Sequence, residues 1–238
     1  MRPAKPAKQS FTSIQTVLFD LDGTLADTAP DMAHALNKLL REQGSEPLPL
    51  EAVRNHVSRG AKGVLQAAFG GELAGAAFER LRERFLEIYA TDLCKETRLF
   101  PGMAEVLAHI VASGLKWGVV TNKPAWLTDR LIETLGLAER ATCIVSGDTT
   151  DQKKPHPKPL LHACACCRAE VGDCVYIGDD PRDVQAGQAA GMFTLVALYG
   201  YIGKDQDPHR WGADGVLSDI SELPAWLCGT TTIGEAVG

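Results

Sequence analysis

Five apolar runs punctuate the chain without the polar alternation of a half-exposed strand. They are TVLFD (Thr16–Asp20), KWGVVT (Lys116–Thr121), ATCIVS (Ala141–Ser146), CVYIGD (Cys174–Asp179) and MFTLVAL (Met192–Leu198). Near-continuous apolar strands need cover on both faces, which is the condition of a parallel sheet flanked by helices. Helical patterns separate the later runs, at Met103–Ser113, Trp126–Leu135, Pro157–Arg168 and Asp183–Ala190, and several end at or just before Gly114, Gly136 or Gly191. Strands and helices in alternation predict an open, doubly wound α/β sheet of Rossmann-like character.

One gap breaks the alternation. About 95 residues separate Asp20 from the second strand, far more than one crossover helix requires. Within it Met32, Leu36, Leu39 and Leu40 fall on one helical face, and Phe78, Leu81, Phe85, Ile88 and Tyr89 on another. A helical cap inserted at 28–97 is therefore expected, reached through linkers at Thr24–Asp27 and Arg98–Pro101. The catalytic core would then comprise 15–27 and 98–228, with loose tails at 1–14 and 229–238.

The carboxyl ends of the strands are where open α/β sheets bind ligands. Asp20 and Asp22 follow the first run, Thr121 and Asn122 the second, Ser146 the third, and Asp179, Asp180 and Asp183 the fourth. Lys153 and Lys154 lie between the third run and the next helix. So many carboxylates at one rim repel each other unless a cation joins them, and hard oxygen ligands beside a phosphate suit Mg²⁺. In FDLDGTLADT, Asp20 and Asp22 bracket a Leu that returns to the core, so both carboxylates face one side, and Gly23 permits a sharp turn after them. One carboxylate can attack phosphorus while the other moves the proton of the leaving oxygen.

Composition narrows the partners. Hydrophobic residues make up 45% and charged residues 23% of 238, and the formal net charge is −6 with no basic block, which argues against nucleic acid. No apolar run is long enough to cross a bilayer, and the short basic start MRPAKPAKQS lacks the apolar stretch of a secretory signal. Seven scattered Cys without a CxxC pair fit a reduced, cytoplasmic chain; Cys164, Cys166 and Cys167 match no common zinc spacing and read as helix packing.

DLDGTLADT, VVTNKP, KKPHPKPL and IGDDPRD together resemble the four motifs of the haloacid dehalogenase superfamily, in order and across nearly the whole core. The insert after the first motif resembles the cap of the phosphoglycolate-phosphatase-like branch. That resemblance implies Asp20 as nucleophile, Asp22 as general acid and base, and Thr121 with the Asn122 amide as holders of the phosphoryl oxygens. It implies Lys154 as partner of the nucleophile and phosphate. Mg²⁺ would be bound by Asp20, Asp179 and the carbonyl of Asp22, with Asp183 orienting its waters. His156 stands where the family more usually has Asp.

In the cap, SRGAKG (Ser58–Gly63) reads as a flexible cationic loop whose Arg59 and Lys62 would meet the distal group of the substrate. A small phosphorylated metabolite is expected, 2-phosphoglycolate first. LYGYIGKDQDPHRWGAD and KWGVVTNKP are also similar to the N-acetylmuramic acid 6-phosphate phosphatases of proteobacteria. A sugar phosphomutase of the same architecture is the alternative of another class. A monomer or homodimer is expected.

Overall fold

The computed structural model describes residues 14–70 and 73–228. The tails expected at 1–14 and 229–238 lie outside the described residues, Ile14 apart. From strand β1 (Thr16–Phe19) the chain passes through the short strand β2 (Ala26–Asp27) into four helices, α1 (Ala29–Glu42), α2 (Leu50–Arg54), α3 (Gly60–Phe69) and α4 (Gly75–Thr91). It returns by β3 (Arg98–Leu99) and then alternates: α5 (Met103–Ala112), β4 (Lys116–Val120), α6 (Ala125–Thr134), β5 (Cys143–Val145), α7 (Lys158–Cys167), β6 (Cys174–Gly178), α8 (Pro181–Ala190), β7 (Phe193–Ala197), β8 (Gly215–Leu217) and α9 (Leu223–Leu227).

Six strands form one sheet in the order β5-β4-β1-β6-β7-β8, with every pairing parallel. Its centre is β1, flanked by β4 and β6, so the strands bearing Asp20, Thr121 and Asp179 at their carboxyl ends are neighbours. Both faces are covered, as the continuous apolar runs required. Val17, Phe19, Val119, Ile177 and Leu195 pack with Met103, Leu107 and Leu131 on one side. Leu18, Val120, Tyr176 and Leu160 pack on the other. Each such side chain contributes about 1.5–3 kcal/mol through burial.

The inserted helices have a core of their own, built from Met32, Leu36, Leu39, Leu40, Phe85, Ile88 and Tyr89. Phe78 and Leu81 sit at its edge, only partly buried. The two connections between cap and core are zipped together as an antiparallel ribbon, Ala26 opposite Leu99 and Asp27 opposite Arg98. Arg54 donates to both oxygens of Asp27 at 2.9 and 3.0 Å, and Tyr201 Oη donates to Asp27 at 2.7 Å. Such ties give the cap a defined pose on the core.

Three local expectations are corrected. Ser58–Gly63 is not a loop: a 3₁₀ turn over Val57–Arg59 runs directly into α3, turned by Gly60 at φ +62°. Helix α8 starts at Pro181 rather than Asp183, because Asp180 accepts from Arg182 N–H as N-cap while Asp183 closes a reciprocal capping box. The sheet also gains β8, whose three residues carry only one fully buried side chain, Leu217, too short a signal to see in advance. The cysteines behave as packing. Cys164 and Cys167 face the core of α7 while Cys166 points to solvent, so the three cannot share an ion.

Candidate active site

The turn after β1 is built by its own backbone. Asp20 N–H donates to Ile177 O at 2.8 Å, and Leu25 and Ala26 N–H return to the carbonyl groups of Asp20 and Leu21. Leu21 is fully buried, which turns Asp20 and Asp22 to the same side. Gly23 sits at φ +87°, and a β-carbon there would overlap the Asp179 carboxylate and the Tyr201 ring. The glycine is what lets the first motif approach the fourth so closely.

Asp20, Asp179 and Asp183 each offer a carboxylate oxygen, and the three oxygens lie within 4.8 Å of one another. All three residues are buried. Lys154 lies among them, its Nζ 2.8 Å from Asp20 Oδ1 and 2.7 Å from Asp183 Oδ1, and it also donates to Val120 O and Tyr176 Oη. Lys153 is exposed, so of the adjacent lysines Lys154 is the one at the cluster. Asn122 positions it: the side-chain amide donates to Lys154 O and accepts from Lys154 N–H, both at 3.0 Å. That side chain braces the lysine loop, and Asn122 also lines the cavity between cap and core. Asp183 is likewise occupied, by Lys154 and Tyr176 Oη on one oxygen and Asp180 N–H on the other. Asp179 accepts from Thr24 Oγ1 at 3.1 Å, Tyr201 N–H at 2.9 Å and, from the cap, Ser58 Oγ at 2.7 Å. Asp20 Oδ2 receives no hydrogen bond from any described residue.

One lysine does not balance this much negative charge. Burial, with Asp183 and Asp22 adding to it against the opposing pull of Lys154, pushes the Asp20 carboxyl up to about 7. Burial and the charges of Asp20 and Asp183 push Asp179 well above the carboxylate range. Asp180 goes the other way, because Arg182 outweighs its burial and holds it below the ordinary value. Oxygens bound to one octahedral ion at about 2.1 Å stand roughly 3–4 Å apart. The donor set therefore suits a hard divalent cation in its chemistry, in the gathering of three carboxylate oxygens within 4.8 Å and in its surplus of negative charge.

Asp22 belongs to a second group. Its Oδ1 accepts from Thr28 Oγ1 at 2.6 Å and from Lys123 Nζ at 2.9 Å, with Lys123 3.2 Å from Oδ2. Burial opposes the charge of Lys123, but Asp22 outweighs it and raises the ammonium above its ordinary range. The same ammonium lies 4.9 Å from the ring centroid of Tyr89 on α4. Burial pushes the Tyr89 phenol up to about 12, so it stays protonated at neutral pH. Sequence reasoning missed Lys123, Thr28, Ser58, Tyr89 and Tyr201. Lys123 was legible as the third residue of TNKP; Tyr89 was indistinguishable from the apolar stripe that carries it.

Between cap and core lies a cavity of about 330 Å³, bordered by Asp20, Asp22, Thr121 and Lys154 on the core side. Thr121 is buried at the end of β4, its Oγ1 accepting from Lys123 N–H. Arg59 and Lys62 reach the same cavity from the cap but are exposed, and neither forms an ion pair among the described residues. Met32, Leu86 and Leu127 give it an apolar side.

The profile of haloacid dehalogenase-like hydrolases matches residues 17–197. An N-acetylmuramic acid 6-phosphate phosphatase of Pseudomonas putida is 40% identical over 220 residues, covering 91% of this chain and 99% of its own length. A phosphoglycolate phosphatase of Xanthomonas campestris is 41% identical over 209 residues, covering 88% and 94%. Among solved structures, a predicted phosphoglycolate phosphatase of Haemophilus somnus superposes with a TM-score of 0.79 at 26% identity, covering 90% of this chain and 97% of that one. With the four motifs brought to one sheet edge beneath an inserted helical cap, and with relatives similar along almost their whole length, the chain belongs to the haloacid dehalogenase-like hydrolase family.

Proposed function

We propose that this phosphatase is a Mg²⁺-dependent phosphomonoesterase that carries the phosphoryl group on Asp20. The observation that supports it most is the buried cluster of Asp20, Asp179 and Asp183 around Lys154, open to a cavity under the cap. The Asp20 carboxylate attacks phosphorus and the bond to the ester oxygen breaks, giving an aspartyl-phosphate and an alcohol. Asp22 delivers a proton to the departing oxygen. It then takes one from the water that attacks the aspartyl-phosphate, releasing inorganic phosphate and regenerating Asp20. Thr121 and Lys154 bind the phosphoryl oxygens. Asp20, Asp179 and the Asp22 carbonyl would hold Mg²⁺, which when bound would supply the positive charge that phosphoryl transfer relies on. Asp183, with both oxygens engaged, orients Lys154 and the surroundings of the metal.

The substrate is a phosphorylated carboxylic acid, and 2-phosphoglycolate is the smallest that meets the description. A second reading, N-acetylmuramic acid 6-phosphate, is favoured by the cavity itself: about 330 Å³ with an apolar side is more room than a two-carbon acid fills. Exposed Arg59 and Lys62 at the mouth would draw either anion in. Phosphate release measured on both substrates, with Mg²⁺ and after chelation, tests the reading. Asp20→Asn is expected to cut turnover by more than about 10⁴-fold while the circular dichroism spectrum is kept. Substantial turnover in that variant, or activity surviving exhaustive metal removal, would refute the mechanism.

A further inference from the structure

Among the polar groups of the cavity wall that the chemistry above does not use, Tyr89 stands apart. Tyr89 is only 1% exposed, and its hydroxyl has no hydrogen-bond partner of proper geometry among the described residues. The Lys123 ammonium beside it can only donate, so the phenolic proton has no acceptor. A buried O–H left in this state costs stability, and nothing in the packing of α4 asks for it, since Phe would fill the same space. The direction in which it is unsatisfied is informative. Tyr89, Lys123 and the half-buried Arg82 line the same cavity; Lys123 already holds Asp22 and Arg82 holds Glu79, so the phenol proton is the donor left without an acceptor, in a corner of positive charge that suits an anionic oxygen. Lys123 holds the carboxylate that serves the ester oxygen, so this corner lies on the leaving-group side of the site, away from Lys154 and the phosphoryl group.

From this we infer that Tyr89 is the specificity-determining residue for the leaving group, donating its hydroxyl to the substrate carboxylate beside Lys123. The inference rests on the phosphorylated-acid reading and makes it more specific. Arg59 and Lys62, exposed at the mouth, attract the anion, whereas Tyr89 identifies it at the buried end. A substrate lacking the carboxylate leaves the phenol as unsatisfied as it is in the free protein.

Two substrate pairs test this: 2-phosphoglycolate with ethyl phosphate, in which a methyl replaces the carboxylate, and N-acetylmuramic acid 6-phosphate with N-acetylglucosamine 6-phosphate, which lacks the carboxylate together with the lactyl ether that carries it. The readout is the ratio of kcat/KM within each pair for the wild type and for Tyr89→Phe, with thermal unfolding of both proteins. In the pair the wild type discriminates, Tyr89→Phe is expected to lower the ratio by about ten-fold or more, as for a hydrogen bond to a charged group, without lowering the Tm. A ratio that survives the substitution, or equal losses on both members of the pair, overturns the role of Tyr89 and leaves the phosphorylated-acid reading standing. A wild type indifferent to the carboxylate in both pairs removes that reading and the inference together.

Discussion

Stripped of divalent cations, the protein should lose stability as the pH rises from 5 to 7.5. The reason is the buried carboxylate cluster. Asp20 has its carboxyl pushed from 3.8 to about 7, chiefly by burial, and Asp179 is displaced in the same direction. A carboxyl that binds its proton more tightly folded than unfolded contributes stability that is fully present below about 3.8 and is lost as the pH climbs through about 7. For Asp20 the displacement corresponds to about 4 kcal/mol, taken as the order of the effect for the cluster because its members release protons together. Carboxylates held low by partners, such as Asp180 beside Arg182, contribute with the opposite sign. Their contribution is complete above the unfolded carboxylate range, so it is constant across this window. Urea unfolding with a chelator at pH 5, 6, 7 and 7.5 measures the slope directly. Mg²⁺ at 100 times its Kd should return about 2.7 kcal/mol at the upper end, and Asp20→Asn should flatten the slope by removing one carboxylate. Stability that stays level or rises between pH 5 and 7.5 without metal would refute the electrostatic account of the site.

Other consequences follow from single contacts. Gly23→Ala forces a β-carbon into the Asp179 carboxylate from a left-handed backbone position. It should cost at least about 2 kcal/mol in urea unfolding and weaken Mg²⁺ binding measured by calorimetry. Lys123→Met leaves Asp22 with Thr28 as its remaining side-chain partner. It should lower kcat by about 10–10³-fold, and a variant with kcat within two-fold of wild type would show that Asp22 needs no such partner. Ser58→Ala removes the hydroxyl by which the cap reaches Asp179; KM for substrate and the Mg²⁺ requirement should both rise by about five-fold, read from steady-state kinetics at varied metal.

Where the sequence was legible, short-range rules sufficed. The unalternating runs that became β1, β4, β5, β6 and β7 declared a sheet covered on both faces, because no other environment accepts so many apolar residues in succession. The overlong gap after Asp20 declared an insert, and the strand-end positions of Asp20, Asp22, Thr121 and Asp179 declared a site. The resemblance implied Lys154 rather than Lys153, and of the two Lys154 is the buried one. What only the tertiary structure decided depends on residues remote in the chain arriving at one place. That Asn122 braces the backbone of Lys154, that Ser58 of the cap touches Asp179, that Lys123 pairs with Asp22, and that Tyr89 keeps an unspent proton at the cavity are all of this kind. A hydrophobic period records which face of a helix is buried, whereas the partner of a buried polar atom is set by distance and direction in space, and neither is written in the spacing of residues along one segment.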